Sequence, residues 1–251
     1  MSRDKDFNGK AVIVTGAGTG IGKATAILLA QRGAKVALVG RREEPLRDVA
    51  GEIERAGGAA LVCAADVASP EDMQRVVTDT VTAFGRLDGL VNNAGISSES
   101  HEIPDMPLDL WHKTIEINLS AQFYGMRAAI PAMEKSGGGA IVNVSSVFGD
   151  RGMRQRAAYP ASKHGVRGLT RSAALDWAPR GIRINELQPG VIETPITAQG
   201  GEEENAQIAS IIAAKRVGQP MEVATAIAFL LSDEASYIMG AHLAVDGGFL
   251  A

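Results

Sequence analysis

Short apolar segments alternate with longer helical segments along the whole chain, and this alternation constrains the fold more than any other feature of the sequence. We predict strands over Ala11–Thr15, Lys35–Val39, Ala60–Cys63, Leu87–Val91, Ala140–Val144, Ile182–Leu187 and Leu243–Val245. The predicted helices are Lys23–Gln31, Glu43–Ala56, Pro70–Phe84, Leu108–Met133, Tyr159–Trp177 and Met221–Leu231. Strands that are apolar on both faces are typical of a parallel sheet covered by helices on both sides. The pattern therefore predicts an α/β fold with a doubly wound parallel sheet of about seven strands.

Composition and charge exclude several classes of protein. No Pro/Ser-rich linker or internal repeat divides the sequence, so we expect one domain over residues 1–251. The net charge of −4 argues against nucleic acid or an anionic membrane as a partner. The longest apolar stretch, near Val223–Leu231, is too short to span a membrane, and the first ten residues lack the apolar core of a signal peptide. Because the single cysteine, Cys63, suits a reducing compartment, we expect a cytoplasmic protein.

A glycine-rich loop follows the first predicted strand and opens the first helix. It reads Thr15-Gly-Ala-Gly-Thr-Gly-Ile-Gly22. Glycines in this position let the backbone approach a pyrophosphate, whose charge the helix N-terminus stabilises. A P-loop is excluded because Ala17 and Ala24 occupy positions that need a glycine and a hydroxyl. The spacing that remains, G-x3-G-x-G, predicts a phosphate-binding loop for another class of nucleotide.

Tyr159 and Lys163 are four residues apart at the start of a predicted helix, so both side chains lie on one helix face. An ordinary tyrosine, with a pKa of about 10, is too weak an acid for catalysis at neutral pH. A lysine cation about 4 Å away favours the phenolate by roughly 4 kcal/mol, or about three pKa units. We therefore expect Lys163 to bring the pKa of Tyr159 into a catalytic range.

These features together resemble the short-chain dehydrogenases/reductases, and the resemblance extends over nearly the whole chain. Beside the glycine loop, the matching motifs are Asp66-Val67, Asn92-Asn-Ala-Gly95, Asn118, Ser145-Ser146, Tyr159-x3-Lys163, Pro189-Gly190 and Val245-Asp-Gly-Gly248. Several independent motifs in the right order make the match specific. The resemblance implies a single-domain Rossmann fold and reversible hydride transfer between a nicotinamide cofactor and a carbonyl or alcohol carbon.

The resemblance also implies a role for individual residues. The implied catalytic residues are Asn118, Ser146, Tyr159 and Lys163. Ser146 would orient the substrate oxygen, since it and not Ser145 has the family's spacing from the tyrosine, and Asn118 would help to hold a water for proton relay. The implied cofactor-binding residues are Gly16, Gly18, Thr19, Gly20, Ile21 and Gly22 in the loop, Asp66 and Val67 at the adenine, Asn93 and Gly95 beside the adenosine ribose, Ile192 and Thr194 at the carboxamide, and Tyr159 and Lys163.

The choice between the two nicotinamide cofactors follows from charge at the end of the second strand. Gly40 stands eighteen residues past the loop, Arg41 and Arg42 follow it, and no acid occurs before Glu43. A carboxylate near this distance would bind the 2′-hydroxyl of NAD, whereas arginine binds a 2′-phosphate with forked hydrogen bonds. We therefore predict NADP(H) as the preferred cofactor, bound through Arg41 and Arg42. Thr19 departs from one NADP pattern and leaves NAD(H) possible.

Other features leave alternatives open. A dinucleotide-binding regulator without turnover, and a lyase or epimerase on the same fold, remain as other function classes, and the substrate cannot be read from the sequence. No metal site is predicted, because His101, His112, His164 and His242 show no ligand spacing.

Three arginines in the segment Asp150–Arg156 could recognise an acidic substrate, although a solvated loop or subunit contact is the more ordinary role. The resemblance further implies a homotetramer built on the two long helices and a substrate lid near residues 195–215.

Overall fold

Seven strands form one parallel sheet within the part of the chain that the computed structural model describes, residues 6–195, 197, 207 and 209–251. They are β1 (Ala11–Thr15), β2 (Lys35–Gly40), β3 (Ala59–Ala64), β4 (Gly89–Asn92), β5 (Gly139–Val144), β6 (Ile182–Pro189) and β7 (His242–Val245). Their order in the sheet is β3-β2-β1-β4-β5-β6-β7, and every neighbouring pair is parallel. This confirms the predicted doubly wound sheet.

The principal α-helices of the described residues are α1 (Gly20–Gln31), α2 (Glu43–Arg55), α3 (Pro70–Phe84), α4 (Leu108–Ile115), α5 (Ala121–Lys135), α6 (Ala158–Trp177) and α7 (Pro220–Leu231). Local signals explain the bounds of α3 well. The Ser69 side chain accepts a hydrogen bond from the Asp72 N–H, Pro70 occupies the first helical position, and Gly85 ends the helix with φ +85°.

Helices cover both faces of the sheet and bury a hydrophobic core on each. α1, α2 and α7 contribute Leu29, Leu46 and Ile227 to the core on one face. α3 and α5 contribute Met73 and Met133 to the core on the opposite face, where α6 also packs. The chain passes from β1 to β2 and β3 on one side and then returns to β4 on the other. This reversal of strand order leaves a crevice at the carboxyl ends of β1 and β4, where ligands bind in such sheets.

Two element predictions need correction. The single helix predicted over Leu108–Met133 is two α-helices, α4 and α5, joined by a π-helical turn over Glu116–Ser120. α1 begins at Gly20 rather than at Lys23, so the last glycines of the loop already belong to the helix. Among the described residues, no helix combines the length and apolarity needed to cross a membrane.

Candidate active site

Two adjoining pockets form a continuous cleft along the carboxyl ends of the central strands. They share Gly16, Thr19, Ala94, Gly95 and Ile96. The first pocket is further lined by Gly20, Ile21, Asn93, Val144, Ser145, Ser146, Tyr159, Lys163, Pro189, Gly190, Ile192, Thr194, Pro195 and Thr197. The second is further lined by Gly18, Gly40, Arg41, Arg42, Pro45, Leu46, Ala65, Asp66, Val67 and Ile117. The cleft thus gathers all the predicted site residues except Gly22 and Asn118, which lie beneath it.

The glycine loop forms the floor where the two pockets meet. Gly16 has φ +67°, a conformation that side chains disfavour, and a Cβ on Gly22 would come within 2.1 Å of the Gly16 carbonyl oxygen. Neither position can accept a side chain without moving the backbone. The Thr19 side chain makes no capping hydrogen bond among the described residues, and the first turn of α1 carries no acid. Free N–H groups at the positive end of a helix fit a pyrophosphate, so the loop suits a dinucleotide.

The second pocket suits the adenosine end of such a ligand. Arg41 and Arg42 follow β2 and are exposed at its rim, opposite Asp66 and Val67. The Asp66 carboxylate is fixed by a hydrogen bond of 3.0 Å from the Ala68 N–H. The residues that the sequence assigns to the adenine and to the ribose 2′ position are therefore neighbours in space.

Ser146, Tyr159 and Lys163 lie together in the first pocket. Ser146 follows β5, and its Oγ accepts a hydrogen bond of 3.2 Å from the Phe148 N–H. Tyr159 and Lys163 lie near the start of α6, with Lys163 Nζ 5.6 Å from the centre of the Tyr159 ring. The same Nζ donates a hydrogen bond of 3.1 Å to the Val144 carbonyl oxygen. Two hydroxyl groups and one ammonium thus meet at the end of the central sheet.

The electrostatics of this group differ from the expectation that Lys163 makes Tyr159 acidic. Burial raises the pKa of Tyr159, and a hydrogen bond with Ser146 only partly opposes that rise. The same burial lowers the pKa of Lys163 to about 8, while the charge of Glu186 raises it. The Lys163 ammonium lies over the Tyr159 ring, and the desolvation of the phenolate decides the direction of the tyrosine shift.

Asn118 lies in the π-helical turn and is fully buried. Its Oδ1 accepts a hydrogen bond of 2.8 Å from the Ile96 N–H, and its Nδ2 donates one of 3.0 Å to the Ile96 carbonyl oxygen. A longer contact of 3.3 Å joins Nδ2 to Ser162 Oγ. The side chain therefore fixes the loop after β4, which forms one wall of the cleft.

The remaining predicted contacts also have defined places. Asn93 Nδ2 donates to the Thr15 carbonyl oxygen at 2.9 Å, and so ties the loop after β4 to β1. Thr197 Oγ1 donates to the Ile192 carbonyl oxygen at 2.6 Å, and it accepts from the Thr194 N–H at 2.9 Å. These bonds order the segment that borders the first pocket. The predicted lid near residues 195–215 includes residues 196, 198–206 and 208, which lie outside the part of the chain that the structure describes.

Comparison with known proteins agrees with this geometry. A family model described as enoyl-(acyl carrier protein) reductase matches residues 16–250. The chain is 45% identical over 243 residues to cyclohexanol dehydrogenase of Acinetobacter sp. (strain SE19), covering 97% of this chain and 96% of that protein. It is 42% identical to cis-4-hydroxycyclohexanecarboxylate dehydrogenase of Sinomonas cyclohexanicum, over 98% of each chain. The crystal structure of levodione reductase superposes with a TM-score of 0.93 at 36% identity, covering 96% of this chain and 98% of that one.

The chain belongs to the short-chain dehydrogenases/reductases. As a member of this family it is an NAD(P)-dependent oxidoreductase that acts on the CH–OH group of alcohols. The cradle of the glycine loop and the adenosine pocket together fit the cofactor that the family uses.

Sequence reasoning missed a charged cluster in this short-chain dehydrogenase/reductase, next to the group formed by Ser146, Tyr159 and Lys163. Arg167 on α6 contacts Asp150, which follows the Ser146 turn, and Glu186 in β6. Gln188 Nε2 completes the cluster with a hydrogen bond of 3.1 Å to Glu186 Oε1. A signal was available, because Arg167 lies one helical turn beyond Lys163 and Glu186 is an acid within a predicted core strand.

The three arginines of the segment Asp150–Arg156 do not form a shared cluster. Arg151 Nη1 donates to the Phe249 carbonyl oxygen at 3.4 Å. Arg156 donates to Ser97 Oγ and to the Ser98 carbonyl oxygen. Arg154 is exposed and does not line the cleft. The geometry therefore gives the proposed acidic substrate no common binding site in this segment.

Proposed function

We propose that the protein catalyses reversible hydride transfer between NADP(H) and the hydroxyl-bearing carbon of a cyclic secondary alcohol, with the cyclic ketone as the oxidised product. The observation that carries the proposal is the meeting of Ser146, Tyr159 and Lys163 in one pocket. Apolar side chains, among them Ile96 and Ile192, line the same pocket and suit an apolar ring. Relatives named for cyclohexanol and for 4-hydroxycyclohexanecarboxylate support a ring substrate.

The bound cofactor supplies or accepts the hydride, and side chains of the protein donate or accept the proton. Ser146 donates a hydrogen bond to the substrate oxygen and orients it toward Tyr159. Tyr159 then donates a proton to that oxygen during reduction and removes it during oxidation. Lys163, with a pKa of about 8, is largely charged at neutral pH, and in this proposal its cation favours the phenolate that oxidation requires, against the burial that raises the pKa of Tyr159. Asn118 keeps the wall of the cleft in place and remains the proposed residue for water relay.

The preference for NADP(H) rests on charge at the adenosine end. Arg41 and Arg42 present two cations at the rim of the second pocket. The nearest acid in sequence, Glu43, is paired with Arg47, with 2.7 Å between Arg47 Nη2 and Glu43 Oε1. This pairing lowers the repulsion that a 2′-phosphate would otherwise meet. NAD(H) remains the alternative cofactor.

The proposal also includes assembly and location. We propose a cytoplasmic homotetramer built on the two long helical segments. Large apolar side chains exposed on these helices support the assembly, namely Leu108 on α4, Phe123 on α5 and Leu175 on α6.

A turnover screen tests the function. Cyclohexanol, 4-hydroxycyclohexanecarboxylate and the open-chain 2-hexanol are each offered with NADP⁺ and with NAD⁺, and the near-ultraviolet absorbance of the reduced nicotinamide is followed. We expect kcat/KM for a ring alcohol to exceed that for 2-hexanol at least about tenfold, because one apolar pocket contact is worth roughly 1–3 kcal/mol.

Two matched variants make the screen specific. Tyr159→Phe removes the proton-transferring hydroxyl and should reduce kcat at least about a hundredfold while cofactor binding stays nearly unchanged. Tyr237→Phe makes the same chemical change on a side chain that is 98% exposed, and should leave kcat unaffected. Full activity in Tyr159→Phe, or no redox turnover of any of these alcohols or their ketones, would contradict the proposal.

A further inference from the structure

The charged cluster of Asp150, Arg167 and Glu186 connects three separate elements behind the catalytic group. Arg167 Nη2 donates to Asp150 Oδ2 at 2.8 Å, and its Nη1 contacts Asp150 Oδ1. On its other side, Arg167 Nε donates to Glu186 Oε2 at 3.1 Å. One guanidinium therefore joins the turn after β5, helix α6 and strand β6.

The cluster is largely buried, and the burial of a charged group costs free energy of desolvation. The side chain of Glu186 is 1% exposed and that of Arg167 is 16% exposed. Glu186 lies in a strand that pairs with β5 on one side and β7 on the other. A buried ion pair rarely stabilises a fold more than apolar residues of the same volume would. The fold alone therefore does not account for a carboxylate at this position.

The elements that Arg167 joins are those that carry the reacting groups. Asp150 ends a short turn that begins at Ser146, within which the Gly149 N–H donates to the Ser146 carbonyl oxygen at 2.8 Å. Arg167 lies one helical turn beyond Lys163 on the helix that also carries Tyr159. β6 runs directly into Pro189 and Gly190, which line the first pocket.

The turn packs against α6 without any spare space. A Cβ on Gly149 would come within 2.8 Å of Ser145 Oγ and 3.2 Å of the Lys163 carbonyl oxygen. Ser145 Oγ itself donates to that carbonyl oxygen at 3.1 Å. A small displacement of the turn would therefore move Ser146 relative to Tyr159 and Lys163.

We propose that Arg167 is a positioning residue, which by binding Asp150 and Glu186 together fixes Ser146 against Tyr159 and Lys163. It also holds the Glu186 carboxylate in β6 beside Leu187, the register partner of Val144, whose carbonyl oxygen accepts the hydrogen bond from Lys163 Nζ. This inference rests on the proposed oxidoreductase function of the same site. Arg167 does not line the cleft, so it acts on the reaction only through the groups that it holds.

The charges around Lys163 give the proposal a measurable signature. Tyr159 faces it from the same helix, the Val144 carbonyl oxygen faces it from β5, and Glu186 acts on it from β6. Farther out, Arg167 holds the pKa of Asp150 at about 2, and His242, which pairs in register with Glu186, lowers that pKa too. Because the charge of Glu186 raises the pKa of Lys163, we expect removal of that charge to lower the pKa.

The first test measures kcat against pH. Glu186→Gln keeps the shape of the side chain and a hydrogen-bond acceptor for Arg167, but removes the charge. The fall of kcat on the alkaline side should therefore begin at lower pH than in the wild type, by about half a unit or more.

Arg167→Met should reduce kcat at least about tenfold with KM for the cofactor nearly unchanged, and Arg167→Lys should restore part of the loss.

The control is Arg171→Met, which removes an exposed guanidinium one turn farther along α6 and should change neither kcat nor its pH profile. If Glu186→Gln and Arg167→Met have lower thermal stability but the kcat and pH profile of the wild type, the cluster is purely structural and the inference is wrong.

A second readout does not depend on turnover. In protein labelled with ¹³C-lysine, the titration of the Lys163 side chain can be followed by NMR and assigned with Lys163→Arg. We expect its pKa to fall in Glu186→Gln and to stay unchanged in Arg171→Met. An unchanged pKa in Glu186→Gln would overturn the inference. A wild type without any redox activity would instead defeat the proposed function, and the NMR titration would still decide whether the cluster acts on Lys163.

Discussion

Arg41 is the residue through which the proposed preference for NADP(H) can be tested most directly. It directly follows β2 and lines the second pocket beside Arg42, where the phosphate of NADP(H) would add two negative charges. A guanidinium meets a phosphate with two parallel hydrogen bonds, and such charge-assisted pairs are stronger than neutral ones. The hydroxyl at the same position of NAD(H) gains much less from the same cation.

We expect Arg41→Ala to raise the Kd of NADPH at least about tenfold and that of NADH by less than about threefold, since about 1.4 kcal/mol corresponds to a tenfold change in affinity. Quenching of protein fluorescence by each cofactor measures both constants. Arg55→Ala, which removes an exposed cation from the far end of α2, serves as the control. Equal losses for the two cofactors would refute the role of Arg41.

Tyr159 and Lys163 show which properties of a residue the sequence can predict. Their spacing correctly predicts that they share a helix face and approach each other. The direction of the tyrosine pKa could not be predicted, because it depends on how much water the surrounding chain excludes.

At the scale of elements, the helical segment from α4 to α5 carries the most informative departure from regular structure. Its π-helical turn inserts an extra residue into the helix, as such turns often do at functional sites. The insertion aims Asn118 at the backbone of Ile96, and the two hydrogen bonds made there hold the loop after β4. The turn therefore connects the helical segment to the loop that forms one wall of the cleft.

Asn118→Leu should destabilise the protein by about 2–4 kcal/mol, because it places an apolar side chain against the partly buried N–H and carbonyl groups of Ile96 and removes their hydrogen-bond partners. KM for the cofactor should rise as the loop loosens. Asn118→Asp retains an acceptor for the Ile96 N–H but has no donor for the Ile96 carbonyl oxygen. Its free energy of unfolding should therefore lie between those of the wild type and Asn118→Leu. Urea unfolding measures the stability, and a loss below about 0.5 kcal/mol in Asn118→Leu would show that the turn does not depend on this side chain.

The bounds of elements were predictable where local chemistry decides them. Ser69, Pro70 and Gly85 predict α3 from end to end, because a cap, a proline and a left-handed glycine act within a few residues. The π-helical turn was not predictable, since its reason is a contact with Ile96 that lies 22 residues away. β6 extends to Pro189, beyond the predicted end at Leu187, because pairing with β7 continues there.

At the scale of the whole molecule, the order of strands puts the cleft at the carboxyl ends of β1 and β4. Helices pack on both faces of the sheet that carries it. The parallel sheet and its crevice follow from strands that are apolar on both faces, a property of sequence alone. The contacts among charged side chains beside the site cannot be predicted from the apolar pattern of the strands. Arg167, Asp150 and Glu186 come from three elements, and only the folded sheet brings them together.

Large apolar side chains on the outer surface of the long helices lead to the last prediction. Leu175 is 80% exposed on α6 and Phe123 is 47% exposed on α5, and burying both between subunits would remove apolar surface from water. Light scattering after size exclusion should therefore give the wild type a mass of about 105 kDa, four times the chain mass of 26.2 kDa. In the double variant Phe123→Glu and Leu175→Glu, unpaired buried carboxylates would oppose this contact, and a smaller species should result. Gln74→Glu adds a charge to an exposed position of α3 and should keep the wild-type mass. A wild type that remains monomeric at micromolar concentration, or a double variant that still forms the full assembly, would show that these helices are not the interface.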